Sequence, residues 1–181
     1  MRGAFTAITL LAVVFLTGPV QAFEPDISNK MELDVQKAIL AIKQRDPGIQ
    51  KFFDKSAGYA VFPGVGKGGL IVGGAFGRGL VIVNEQMDGY TSLSQASIGL
   101  QLGGQKYAQF IFFKDSTALG HFKRGNFEMG AQASAVAVTA GASADAAYDS
   151  GVAVFTNIAG GLMFEGSISG QRFTYEPKSS N

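Results

Sequence analysis

The chain has 181 residues, 15 Lys+Arg against 14 Asp+Glu for a formal charge of +1, and 25 Gly, 15 Phe, one His, no Cys and no Trp. Without Cys it cannot be a disulfide scaffold, an iron–sulfur protein, a thiol enzyme or a Cys-anchored lipoprotein, and its near-neutral balance argues against a general nucleic-acid binder. A hydrophobic content of 46% with only 16% charged residues fits a globular chain, not a disordered one.

The N-terminus reads as a signal peptide: Arg2, an apolar run from Ala4 to Leu16, the break at Gly18-Pro19, then the small-residue pattern Val20-Gln21-Ala22. The run would rise only ~20 Å as a helix, too short for a hydrocarbon core of ~30 Å. Cleavage after Ala22 is expected, leaving one domain over residues 23–181 that is exported to the periplasm or secreted.

A helix is predicted over residues 26–45. Asn29 with Glu32 forms a capping box, and Met31, Val35, Ala38, Ile39 and Ile42 recur at helical spacing. Asp46 then caps a second helix with Pro47 at its first position, running to about Ser56, stopping at Gly58 and burying Ile49, Phe52 and Phe53. Short apolar runs separated by glycines come next: Tyr59 to Phe62, Leu70 to Val72, and Leu80 to Val83. From Ser94 to Leu102 the alternation puts Ala96, Ile98, Leu100 and Leu102 on one face. Gly103-Gly104 turns into a strand from Tyr107 to Phe113, so these two strands are expected to pair as a hairpin. Asp115 to Arg124 is a capped helix ended by Gly125. Phe127 to Thr139, Val152 to Thr156, Gly161 to Ile168 and Arg172 to Tyr175 read as strands. The expected class is α+β: a strongly curled or barrel-like antiparallel sheet of about eight or nine strands, two N-terminal helices and one later short helix. Glycines at 68, 69, 73, 74, 77 and 79, and the small residues Ala131, Ala133, Ala135 and Ala137, suit a sheet that bends sharply.

Catalytic motifs fail one by one. Gly64-Val65-Gly66-Lys67-Gly68-Gly69 fits G-x-G-x-x-G, but a strand pattern stands where a dinucleotide site needs a helix N-terminus. Val61 and Gly68 stand where a phosphate-binding P-loop needs Gly and Ser/Thr. His121 is the only candidate imidazole base, and Gly166-Ser167-Ile168-Ser169-Gly170 has Ile where a nucleophile elbow has Ser. One His and no Cys give no zinc set. No catalytic residue, cofactor or metal is expected. Charge is segregated instead: +3 over residues 58–126 and −3 over residues 127–181. A basic half suits anionic headgroups.

Gly58-Tyr59-Ala60-Val61-Phe62-Pro63, the run from Gly66 to Gly79, Ser92-Leu93-Ser94-Gln95-Ala96-Ser97-Ile98-Gly99, Gln101 to Gln105, and Phe127-Glu128 together resemble the SYLF lipid-binding domain, also labelled actin-binding after its fungal members. The resemblance spans roughly residues 30 to 175. It implies a non-enzymatic domain that associates with membranes, with phosphoinositide binding in eukaryotic members. An exported protein would meet neither actin nor phosphoinositides, so anionic phospholipids are the expected partner. Lys67 and Arg78 in the glycine-rich turns, with Lys106, Lys123 and Arg124, are the candidate headgroup cations. Met31, Val35, Ile39 and Ile42 are the candidate membrane-facing helix residues. The alternatives are an integral eight-stranded outer-membrane barrel and, after it, an enzyme of unknown type.

Overall fold

Asn29 opens the first helix, α1 (Lys30–Arg45), by accepting the backbone N–H of Met31 at 3.0 Å and, more weakly, of Glu32 at 3.4 Å. The Glu32 carboxylate reaches back to the Asn29 amide at 3.1 Å and to the Asp26 N–H at 2.7 Å. The computed structural model describes residues 22–69, 72–98, 105–125, 127–130, 135–158, 168 and 170–179. The expected signal peptide up to Gln21, Leu70-Ile71, the Gly103-Gly104 turn, Ala131, Ala133 and residues 161–167 of the expected strand lie outside the described residues.

Asp46 ends α1 and leads directly into a 3-10 turn (Pro47–Ile49) and α2 (Gln50–Lys55). Its buried carboxylate accepts the N–H of Gly48 at 3.1 Å and of Ser143 at 2.7 Å, which ties the helical corner to a loop almost a hundred residues away. Burial opposes that charge, but the hydrogen bonds from Ser143, Gly48 and Gly141 outweigh it and hold the carboxyl below the usual range. α3 (Ser116–Lys123) begins where Asp115 accepts the Ala118 N–H at 2.9 Å, and ends before Gly125 at φ +81°.

Among the described residues eight strands form one sheet: β1 (Gly58–Gly69), β2 (Val72–Val83), β3 (Gln86–Ile98), β4 (Gln105–Phe113), β5 (Phe127–Glu128), β6 (Val136–Ala137), β7 (Val152–Ile158) and β8 (Arg172–Pro177). Their order is β5-β8-β3-β2-β1-β4-β7-β6, antiparallel except for β6 against β7, and the sheet curls into a half-barrel. The α+β class therefore holds. Three expectations do not. The glycine segments are not turns: β1 and β2 run on through them as 12-residue strands, with a register shift between Val61 and Gly64 that bends β1. At Gly79 a Cβ would stand 2.2 Å from the Val61 carbonyl oxygen, so only glycine lets these two strands close up there. β3 and β4 do not form a hairpin, because β2 and β1 lie between them. The expected strand from Phe127 to Thr139 is two strands at opposite edges of the sheet, β5 on β8 and β6 on β7.

Alternation along the strands builds two cores. On one face Tyr59, Val61, Leu80, Ile82, Phe110, Phe112 and Phe155 meet Val35, Ile39 and Ile42 of α1 and Phe52 and Phe53 of α2. On the other, Ala60, Phe62, Val81, Ile111, Phe113 and Phe173 meet Leu119 and Phe122 of α3. The Phe-rich composition goes largely into edge-on and tilted ring contacts on both faces, such as Phe53 against Phe112 at 4.9 Å and Phe113 against Phe122 at 4.8 Å. Gln109 and Gln171, both fully buried, exchange amide hydrogen bonds at 2.8 and 3.2 Å and so satisfy each other inside the curl.

This packing corrects the membrane-facing helix. Val35, Ile39 and Ile42 are 0–4% exposed against the sheet, and Met31 is half-buried beside them. Turning three such side chains outward would forfeit ~1.5–3 kcal/mol each. An integral barrel fits no better: among the described residues the edge strands β5 and β6 do not pair with each other, and helices cover parts of both faces. No described helix is long and apolar enough to cross a membrane.

Candidate functional site

The helix covers only part of its face of the sheet. Beside it runs a groove of about 1090 Å³ walled by α1 and by the glycine-rich parts of β1 and β2, with Lys106 and Ala108 of β4 and Asn157 and Ile158 of β7 along it. Small residues keep it open: Ala38 and Ala41 on the helix, Gly64 and Gly77 on the strands. Five basic residues line it (Lys30, Lys37, Arg45, Arg78 and Lys106) against one acid, Asp34.

These cations are not equivalent. Lys30 pairs with Asp34 at 2.6 Å and Lys37 approaches the same carboxylate at 4.0 Å. The Lys30 hydrogen bond, with the charges of Lys37 and Lys106, holds Asp34 below the usual carboxylate range. Arg45 donates to the Asn157 side chain at 2.6 Å and to the Ile158 carbonyl at 2.9 Å, which fastens the end of α1 to β7. Arg78 and Lys106 have no ion pair or hydrogen bond from their side chains among the described residues. Both are exposed. Lys106 stands across from Gly66 and its stem lies over Gly64, where a Cβ would come within 2.8 Å of the Lys106 Cε. Arg78 stands across from Gly64 on the other side. The glycines thus give room for two long cationic side chains on one patch of sheet. Phe76, two residues before Arg78, adds a ring that is 55% exposed in the same groove.

The remaining candidate cations lie elsewhere. Lys67 pairs with Ala75, which belongs to the opposite core, so alternation puts Lys67 on the other face of the sheet. Lys123 and Arg124 sit at the end of α3, also against that opposite face. Lys123 is held by Asp88 at 2.8 Å and lies over the Tyr175 ring at 5.3 Å, while Tyr175 donates to the same carboxylate at 2.6 Å. Burial and that carboxylate push the Tyr175 phenol above its usual range. Of the five candidate headgroup cations, the fold brings together only Arg78 and Lys106. His121 is exposed, with its ring edge-on to Phe127 at 5.5 Å.

Sequence reasoning missed Phe76, which carried its own signal. It sits among Gly73, Gly74, Gly77 and Gly79, neighbours with no side chains to cover a ring. It also missed Lys30, Lys37 and Arg45 as groove residues, because their opposition to Arg78 depends on how α1 lies across the sheet.

Comparison with known proteins gives two matches. Residues 94–180 match the Ysc84 family, described as Las17-binding protein actin regulator. Beta cell expansion factor A of Aeromonas veronii is 30% identical over 138 residues, which cover 75% of this chain and 52% of that protein. The chain thus spans about half the length of the curated relative it matches. Over residues 94–180 the chain is similar to the Ysc84 family, that of the SYLF domain, and its glycine-rich strands and Ser-Gln-Ala-Ser segment lie on one curled sheet.

Proposed function

We propose that this chain is a non-enzymatic phospholipid-binding domain of the cell envelope, acting peripherally through the groove between α1 and the glycine-rich strands. The observation that carries the reading is the pair of exposed cations Arg78 and Lys106, whose side chains make no ion pair or hydrogen bond among the described residues, beside the exposed ring of Phe76. A lipid phosphate accepts hydrogen bonds from the guanidinium and the ammonium, and the ring enters the interface between headgroup and acyl chain. Each cation near an anionic surface contributes about 1 kcal/mol, so attachment is weak, reversible and salt-sensitive. The N-terminal pattern that ends at Ala22 supports export, and export makes bacterial anionic phospholipids the available surface.

Vesicle flotation tests this. The purified protein should float with vesicles containing phosphatidylglycerol at low salt, much less at high salt, and little with neutral glycolipid vesicles, which carry no phosphate, at either. Equal recovery under all these conditions would remove the electrostatic part of the reading. Intact mass of protein from the envelope fraction checks export, with a chain beginning at Phe23 expected and a retained Met1 counting against it.

A further inference from the structure

Arg78 lines a second groove as well. On its far side a cavity of about 450 Å³ is lined by Met31, Arg78, Tyr90, Ser92, Thr174 and Glu176, with Gly79 and Thr91. Cross-strand pairing lays these residues out in rows: Arg78 faces Ser92, Ser92 faces Thr174, and Tyr90 faces Glu176. Glu176 is therefore two strands across from Arg78 and two residues along, about 12 Å between Cα atoms at ~4.8 Å per strand and ~3.4 Å per residue. The two opposite charges share a groove without pairing with each other. Glu176 is exposed and has no ion pair among the described residues. Tyr90 beside it is 42% exposed, and its hydroxyl accepts from the Asn29 amide at 3.4 Å. Between the poles, Ser92 and Thr174 share one hydroxyl–hydroxyl bond at 2.7 Å, which leaves an O–H and several lone pairs available.

A cation, a bridge of hydroxyls, then a carboxylate next to an aromatic ring is complementary to a phosphate joined by a short linker to an ammonium. The carboxylate pairs with the positive charge and the ring face attracts it. A headgroup bearing a second phosphate would instead meet the Glu176 charge. We infer that this second groove is an ammonium subsite, and that the ligand sharing Arg78 is a phosphoethanolamine-type headgroup, with its phosphate on Arg78 and Lys106 and its ammonium between Glu176 and Tyr90. This inference rests on the phosphate site proposed above and specifies what that phosphate is attached to.

NMR titration of the purified protein with phosphoethanolamine, glycerol phosphate and inorganic phosphate separates the two claims. Phosphoethanolamine should bind about fivefold more tightly than glycerol phosphate, the ratio expected for one exposed charge pair with a cation–π contact. Glu176→Gln should erase that advantage and leave inorganic phosphate unchanged, whereas Arg78→Ala with Lys106→Ala should weaken all three. Equal affinity for the three probes, or a preference that survives Glu176→Gln, overturns the ammonium subsite while the phosphate site stands. Absence of binding by every probe overturns the phosphate site and the subsite with it. A lysophosphatidylethanolamine below its micelle concentration distinguishes the source. Binding tighter than the bare headgroup supports a lipid, and equal binding overturns the lipid source in favour of a free ester.

Discussion

Lys106 and Lys123 look alike in the sequence, each a lysine in the basic half of a nearly neutral chain, yet the fold uses them in opposite ways. Lys123 closes a staple in which Asp88 accepts from both its ammonium, at 2.8 Å, and the Tyr175 hydroxyl, at 2.6 Å, joining α3 to β3 and β8. Lys106 lies over a glycine with its ammonium unpaired among the described residues, next to Arg78, also unpaired, and a bare aromatic ring. One region spends its charge on the fold, and the other keeps it for something outside the molecule. Charge counts along the chain cannot make that distinction, because it depends on whether a counter-charge arrives from a distant strand.

Variants that exchange the two outcomes test the contrast. The largest effect is expected for Arg78→Ala with Lys106→Ala: about a 30-fold loss of affinity for anionic vesicles, from ~1 kcal/mol per cation, with unchanged thermal stability. The matched pair Lys123→Ala with Arg124→Ala should shift vesicle affinity by no more than about twofold, since charges beyond ~10 Å are screened. Asp88→Ala should give the reverse profile, a stability loss of about 1–2 kcal/mol by denaturant unfolding with vesicle binding intact, because it strands both Lys123 and Tyr175. Asp46→Asn should cost about 1 kcal/mol at neutral pH. Since the Asp46 carboxyl is held below its usual value in the fold, its contribution is present above the unfolded value of ~4 and is lost as pH falls through the lowered folded value. The Asn variant should accordingly show a flatter acid-denaturation slope in that window. A modest effect is expected for Gly64→Ala, whose methyl would meet only the flexible Lys106 stem at 2.8 Å. Stability should barely change, while vesicle affinity falls about threefold as the ammonium is displaced, a fraction of its ~1 kcal/mol.

What was legible in the sequence was local. Asn29, Asp46 with Pro47, and Asp115 fix helix starts through contacts a few residues away, and α1, the 3-10 turn that leads into α2, and α3 begin where those residues put them. The curl was readable from glycines that would otherwise weaken strands. Strand order was not, because β3 and β4 adjoin in the chain but are separated in the sheet by β2 and β1, and nothing between residues 94 and 113 encodes that separation. The stripe Val35, Ile39 and Ile42 was visible, but an apolar helix face has the same spacing whether a sheet or a bilayer covers it. Tyr59, Phe110 and Phe112, far along the chain, decide the matter. Ala96 shows the converse. It belongs to the apolar set of an alternating strand yet is exposed, while Gln95 on the other face stands 3.5 Å from Gln171. Polarity there follows the buried amide cluster and not the usual alternation. Within the site, the sequence marks Arg78 and Lys106 together with three cations that the alternation of strands and the position of α3 assign to the other face.

The absence of Cys from the chain permits a direct measurement of which face meets the bilayer. An environment-sensitive fluorophore attached through Ser94→Cys, an exposed position across from Phe76, would report on the groove face. The same label through His121→Cys, exposed on α3, would report on the other. With anionic vesicles, the label at position 94 should shift to the blue and become accessible to lipid-borne quenchers, while the label at 121 stays in water. A blue shift at 121 with none at 94 would contradict the account, as would the same response at both positions.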